Sequence, residues 1–404
     1  MIALANLQFI LVCPLSFPCP KLGEFFNVTR KRPPDLTIVL DFGGSATKGV
    51  YAAGGSLNEK LLYMEPEVIS LPQSAINSYE QTKLGKAEPA DSAWVSVDED
   101  TCYVVGYLAQ SRFNGNPGLS SLKYERAFPK TLAAVWVAAQ ALKLKNKFSA
   151  ALAILMPASE YESGKQLHEL LVDGLKDFQT PTGKMSVDLT RFDCKPEGGG
   201  IYMIHRHQLG DAAKQKTVAV VMVGYRNASV LVSERGQVSK RVTSNLGFIR
   251  LVELVEARIL GLPSTAQLAR AIALAGDQVK ACHLLPLAMS SVPEARTDEV
   301  RQIVDAINIS RIEYASALCS WLREVLPRQV NLSEVILCGG TAEYMRLELE
   351  NHFSYAEINW NAGIDLPEEL KDASLGSRLC DAYGLYISFR GAIASSLAIK
   401  APAG

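Results

Sequence analysis

The chain has no C-x-x-C pair, no G-x-x-x-x-G-K-[ST] loop, no strand-linked G-x-G-x-x-G turn and a formal net charge of only −1. Each absence excludes something. Without paired cysteines, the eight thiols read as reduced, buried side chains of a cytoplasmic protein, and nothing singles one out as a nucleophile. Histidine is sparse, at five residues; His205 and His207 in "IHRHQ" share a face if that stretch is a strand. Even with Cys194 nearby, two histidines do not make a zinc site. The near-neutral charge excludes a surface built throughout for nucleic acid, so no direct nucleic-acid binding is expected. The missing glycine loops remove the main support for P-loop and dinucleotide-binding readings.

Long clean apolar runs are also lacking. "MIALANLQFILVCPLSFPCP" carries no charge, but Pro14, Pro18 and Pro20 interrupt it. It lacks the basic start of a signal peptide and falls short of the ~20 uninterrupted apolar residues that span a bilayer. With the linker "KLGEFFNVTRKRPP" it makes an extension, residues 1–34, expected to be disordered or to associate weakly with a membrane through residues 1–20.

What is present is an ordinary globular composition, 48% hydrophobic and 21% charged, in 404 residues. That length exceeds the usual single core and predicts two domains. From Asp35 a run of strands begins, "LTIVLDFG", "TKGVYAAG", "LLYMEPEVISL" and "WVSVDEDTCYVVG", by alternation and turn punctuation. A loop is expected between Tyr107 and Lys123. The long helix "ERAFPKTLAAVWVAAQALKLKN", the strand "SAALAILMPASEY" and the helix "SGKQLHELLVDGLKDF" come next. Then the pattern repeats: "TVAVVMVGYRNASVLVSERGQVSKRVTS" is again strand, small-residue turn, strand, and helices follow it to Leu326. "LSEVILCGGTAEYM" gives a strand, a Gly-Gly turn and a helix, and the chain closes on a helix with a stripe of small residues. Two halves that each open on a glycine-bearing hairpin indicate an internal duplication.

The turns carry the chemistry. Successive backbone amides in a tight turn cradle anions, and glycine lets a phosphate approach closely. Gly43 and Gly44 fit this in the first hairpin, and Gly224 in the second. Asp41, at the end of its strand, is a carboxylate placed to hold the waters of a Mg²⁺ that bridges phosphates, with Lys48 supplying positive charge. Gly339 and Gly340 precede a helix, where backbone can lie against a nucleoside and its first phosphate.

"IVLDFGGSATK", "VAVVMVGYRNASVLV" and "VILCGGTAEYM" resemble the phosphate-1, phosphate-2 and adenosine motifs of the actin-like ATPases, and among these the ParM-type bacterial filament proteins of plasmid segregation. "LMPASEYES" is similar to the crossing between the two domains in that family, and "LCDAYGLYISF" to the helix that closes its first domain. The resemblance runs from Asp35 to the end, the two middle helical regions excepted. It implies an α/β, two-domain actin-like (duplicated ribonuclease-H-like) fold with an interdomain nucleotide cleft. Residues 35–155 with 372–404 would form domain I, and 156–371 domain II. Asp41 becomes a Mg²⁺-water ligand; Gly43, Gly44 and Ser45 contact the β- and γ-phosphates. Glu160 positions the hydrolytic water. Gly224 joins the second phosphate turn, with Arg226 and Asn227 as direct phosphate contacts. Gly339, Gly340 and Glu343 lie near the nucleoside, and Glu253 is assigned to the ribose.

One departure from the family pattern matters. Its second phosphate strand ends in an Asp, and here Met222 stands there. The implied function is a polymerising protein that binds ATP or GTP with Mg²⁺, forms cytoskeletal or DNA-segregating filaments with a DNA-bound adaptor, and hydrolyses nucleotide slowly. Two alternatives stand beside it: a non-polymerising nucleotide-binding scaffold, and a sugar- or acetate-type kinase. The kinase needs a catalytic carboxylate that the second hairpin does not offer.

Overall fold

The computed structural model describes residues 32–118, 123–262, 264–328, 331–372 and 375–398. The expected N-terminal extension therefore lies outside the described residues, except for its last three positions.

β1 (Leu36–Phe42) and β2 (Thr47–Ala53) form an antiparallel hairpin that β3 (Lys60–Met64) extends. The segment "LLYMEPEVISL", expected as one strand, is broken around Pro66, which has no N–H to give a ladder. Beyond the break, β4 (Val68–Pro72) joins β5 (Trp94–Val95) and β6 (Thr101–Val105) in a small separate sheet beside α1 (Gln73–Thr82). The loop expected after Tyr107 starts with a short helix, α2 (Tyr107–Phe113), which Asn114 ends in the left-handed conformation. The long helix α3 (Lys123–Ala141) leads into β7 (Lys147–Met156), parallel to β1. A tight turn over Ala158–Ser163 and α4 (Gly164–Lys176) follow.

Two strands then appear that the sequence reading did not expect, β8 (Phe178–Thr180) and β9 (Gly183–Pro196). β9 runs parallel to β7, so the first sheet has the order β3-β2-β1-β7-β9-β8. It extends to Pro196, past the boundary expected at residue 155. Next comes α5 (Gly199–Leu209), where a strand was expected to hold His205 and His207. On a helix these two residues do not share a face. His205 is buried against Glu334, 3.1 Å away, and His207 is exposed.

The second half repeats the plan with β10 (Thr217–Val223), β11 (Ala228–Glu234) and β12 (Gln237–Ser244). Helices α6 (Phe248–Glu256), α7 (Thr265–Ala275) and α8 (Pro293–Val325) lead to β13 (Glu334–Cys338), parallel to β10. Two short helices, α9 (Gly340–Tyr344) and α10 (Arg346–His352), precede β14 (Glu357–Trp360). This sheet has the order β12-β11-β10-β13-β14, and α11 (Cys380–Ala398) closes the described chain.

Strand alternation sorts the side chains into layers. Leu36, Ile38 and Leu40 of β1 face α3 and α4, whereas Val39 faces the opposite way, toward α5 and α11. Burial at this level stabilises by about 2 kcal/mol per side chain. In the second sheet Ala219, Val221 and Val223 face α6–α8, and Val218, Val220 and Met222 face α5 and α11. The helix pair α5/α11 is therefore a shared middle layer between two sheets, each covered outside by its own helices. Both strand ends that matter, Asp41 on β1 and Met222 on β10, point into the middle. Among the described residues no helix is long and apolar enough to cross a membrane.

Candidate functional site

Asp41 is the sixth residue of a seven-residue strand buried along its length, and its register partner on β2 is Lys48. The two side chains form a buried ion pair. A second ammonium, that of Lys123 at the start of α3, lies 3.3 Å from the other oxygen of Asp41. Burial pushes the Asp41 carboxyl up, but Lys48 and Lys123 more than offset this and hold it well below the usual carboxylate range. Lys123 Nζ also donates to Glu197 Oε1 at 2.7 Å. Desolvation works against its charge, and the carboxylates of Glu197 and Asp41 outweigh it, so the ammonium is held more firmly than an ordinary lysine.

Lys123 organises a third carboxylate through its backbone, because its N–H donates to Glu160 Oε2. Glu160 sits in the turn that ends β7 and is 6% exposed, so it is not a surface residue. Its other oxygen faces Arg226 of the second hairpin turn, 3.7 Å away. Glu197, directly after β9, accepts from Ser229 Oγ at 3.3 Å with its second oxygen. Ser229 in turn touches Thr243 Oγ1, which accepts the Ala158 amide at 3.1 Å. The ends of both sheets are thus laced together around Lys123.

The first turn leaves its backbone donors unengaged. Among the described residues no hydrogen bond engages the amides of Gly43, Gly44 or Ser45. Ser45 Oγ accepts from the Arg378 guanidinium at 3.2 Å. Arg378 also packs on Gly340, where a Cβ would come within 2.9 Å of its side chain, so that position admits only glycine without displacement. Gly339 turns the chain from β13 into α9 with φ +97, the left-handed region that favours glycine. Thr341 Oγ1 donates to the Gly224 carbonyl at 2.7 Å, which ties the third turn to the second. Glu343 accepts from Asn361 Nδ2 at 3.1 Å and Ser377 Oγ at 3.2 Å. Asn227 Oδ1 is buried with no hydrogen-bond partner among the described residues.

No family model matches the chain, and no curated protein matches it in sequence. Solved structures do match. The actin-like protein Alp7A superposes with a TM-score of 0.63 over 90% of this chain and 98% of its own, at 16% identity. A 15-stranded ParM filament from Clostridium botulinum gives 0.58 over 89% and 99%, at 14% identity. An archaeal actin homologue in complex with ADP gives 0.55 over 88% and 99%, at 15% identity. The fold is actin-like.

Within that actin-like fold the expected residues are brought together unevenly. Asp41, Ser45, Lys48, Glu160, Arg226, Gly340 and Glu343 belong to one connected region, and the Gly224 turn is bonded to it. Glu253 stands apart. It is half-exposed on α6 and paired with Arg250 of its own helix at 3.0 Å. The sequence reading missed Lys123, Glu197, Arg378 and Asp381. Asp381, at the start of α11, accepts from the amides of Gly198 at 2.7 Å and Ile201 at 3.1 Å and so fixes the start of α5. Burial pushes its carboxyl up to about 7 despite both donors. The thiols of Cys102, Cys194 and Cys380 are pushed up to about 12 by burial, which leaves none of them a ready nucleophile.

A divalent ion, expected at Asp41, does not fit this donor set. Magnesium needs carboxylate oxygens and its own waters, and here the Asp41 and Glu197 oxygens already surround an ammonium.

Proposed function

We propose that this protein binds a purine nucleoside triphosphate, ATP or GTP, between its two sheets and assembles with copies of itself into filaments. One observation carries the nucleotide: the unengaged amides of Gly43, Gly44 and Ser45 open beside Lys48 and Arg378, next to the Gly339-Gly340 turn. Amides in a tight turn supply dipoles and the two side chains supply charge, which together suit the terminal phosphates. The third turn, braced by Thr341 and Glu343, suits the nucleoside. Support for assembly comes from the likeness to the ParM filament and to the Alp12 filament structure. The archaeal homologue with ADP supports nucleotide in this fold.

Hydrolysis is the weaker part of the activity. Glu160 has one oxygen held by the Lys123 amide and one toward Arg226, a placement from which it orients a water but is already partly engaged. Met222 gives the cleft no carboxylate from the second hairpin. Phosphoryl transfer depends on positioning and electrostatics, so fewer positioned groups mean slower turnover. A DNA-bound adaptor and a role in segregating DNA belong to this reading as its biological setting. Light scattering and negative-stain microscopy with ATP, GTP and no nucleotide test it. Nucleotide-dependent filaments are expected; binding without filaments points to a scaffold, and no binding overturns the proposal.

A further inference from the structure

From the position of Lys123 we infer that this protein carries its own cation at the phosphate site, so that nucleotide binds without a divalent metal. The inference rests on the nucleotide reading above and concerns how the phosphates are neutralised. Lys123 Nζ lies between Glu197, at 2.7 Å, and Asp41, at 3.3 Å, where carboxylates at the ends of two strands of the first sheet, one on β1 and one just past β9, converge. Its side chain is only 8% exposed, and its backbone amide is fixed to Glu160, so the residue is held at three points, two of them at the ammonium.

Charge balance favours the same conclusion. Lys48 and Lys123 face Asp41, Lys123 also faces Glu197, and Arg226 faces Glu160. A divalent ion held by Asp41 and Glu197 would have to displace the ammonium that both already neutralise and leave it buried without a counter-charge. The second hairpin follows suit: Met222 and its register partner Ser229 stand where the first hairpin has Asp41 and Lys48. One acidic group is missing and one ammonium is present, and both changes weaken a metal site.

The test titrates ATP and GTP calorimetrically into the full chain, in excess EDTA or excess magnesium chloride. The parent is expected to bind with affinities that differ by less than about threefold between the two media. Lys123→Gln removes the charge and should lose about tenfold or more in EDTA, the scale of one charge-assisted hydrogen bond, and regain part of it with magnesium. Lys123→Arg keeps the charge and should keep the metal independence. A parent that loses tenfold or more in EDTA overturns the inference, and that measurement needs no variant to fold. A Lys123→Gln protein with the parent's melting temperature and the parent's response to magnesium overturns it as well. Absence of ATP and GTP binding in both media overturns the nucleotide reading itself, and the inference with it.

Discussion

At the residue scale, Asp41 and Asp381 are two buried aspartates whose environments push them in opposite directions. Asp41 faces two ammonium groups and stays ionised; Asp381 faces two backbone amides and sits near other carboxylates. A carboxyl whose pKa rises from 3.8 unfolded to about 7 folded binds more protons in the native state between those values. Stability from this group is therefore fully present below pH 3.8 and is lost as pH rises through about 7. Asp41 works the other way: its depressed carboxyl contributes stability above its ordinary value of 3.8 and loses it as pH falls further. Asp381→Asn should be less stable overall, because its amide nitrogen opposes one of the two N–H donors. It should also lack the loss of stability that the parent shows from about pH 5 to 7. Urea denaturation across that range checks both, and an unchanged slope in the variant would assign the pH dependence to another group.

At the element scale, the paired strands were legible in the sequence and the middle layer was not. β1, β7, β10 and β13 are buried on both faces, so their apolar runs stand out, and the turns between hairpin strands carry glycine. β9 was missed although it alternates: Met185, Val187 and Leu189, then Phe192 and Cys194, are apolar against polar neighbours, but the phase slips at Thr190–Arg191, where the register to β7 also shifts, and cuts the pattern in two. α5 was missed for a different reason. Its first residues are Gly199 and Gly200, after Gly198, and three glycines read as a turn. Of the three, Gly200 is needed because α11 presses close. A Cβ on Gly200 would come within 2.6 Å of the Leu385 amide nitrogen, and one on Gly384 within 2.6 Å of the Gly200 carbonyl oxygen. The small-residue stripe seen in the last helix is thus a helix–helix contact. Gly384→Ala should wedge the two helices apart at a cost of about 1–3 kcal/mol, the range for overpacking a fitted contact. Gly391→Ala, with nothing within 4 Å of its Cβ, is the matched control on the same helix. Chemical denaturation of the two variants compares them directly; equal stability would mean that the middle layer yields without strain.

At the scale of the whole molecule, the duplicated halves are close in geometry and unequal in chemistry. β1, β2 and β7 correspond to β10, β11 and β13, with Asp41 and Met222 turned toward the same middle layer. The duplication was readable from the repeated hairpins. Lys123 and Glu197 were not, because a lysine opening a helix and a glutamate after a strand have no local pattern that marks them. Only the tertiary packing of β1, the end of β9 and the start of α3 within the first half brings them to Asp41.

That inequality predicts opposite effects of two substitutions on turnover and on filament lifetime. Glu160→Ala removes the carboxylate that faces the cleft from the turn after β7, and phosphate release should fall by about two orders of magnitude, the usual scale for a general base. In the proposed reading nucleotide binding relies on the turns around Gly43, Gly224 and Gly339, so it should persist, and filaments should last longer. Met222→Asp adds a carboxylate on the cleft face of β10. Its register partner Ser229 already bonds Glu197, so the new charge arrives beside an existing one and needs a cation. Lys123 is the cation at hand, 2.7 Å from Glu197 on the far side. With magnesium supplied, Met222→Asp should release phosphate faster and give shorter-lived filaments, whereas in EDTA it should gain nothing. The buried position makes a partnerless Asp costly, by about 2 kcal/mol or more, so a melting curve accompanies the assay. Phosphate release per assembled subunit in the two variants is the measurement. Release that does not change in Glu160→Ala would take that carboxylate out of the reaction and leave the cleft as a binding site alone.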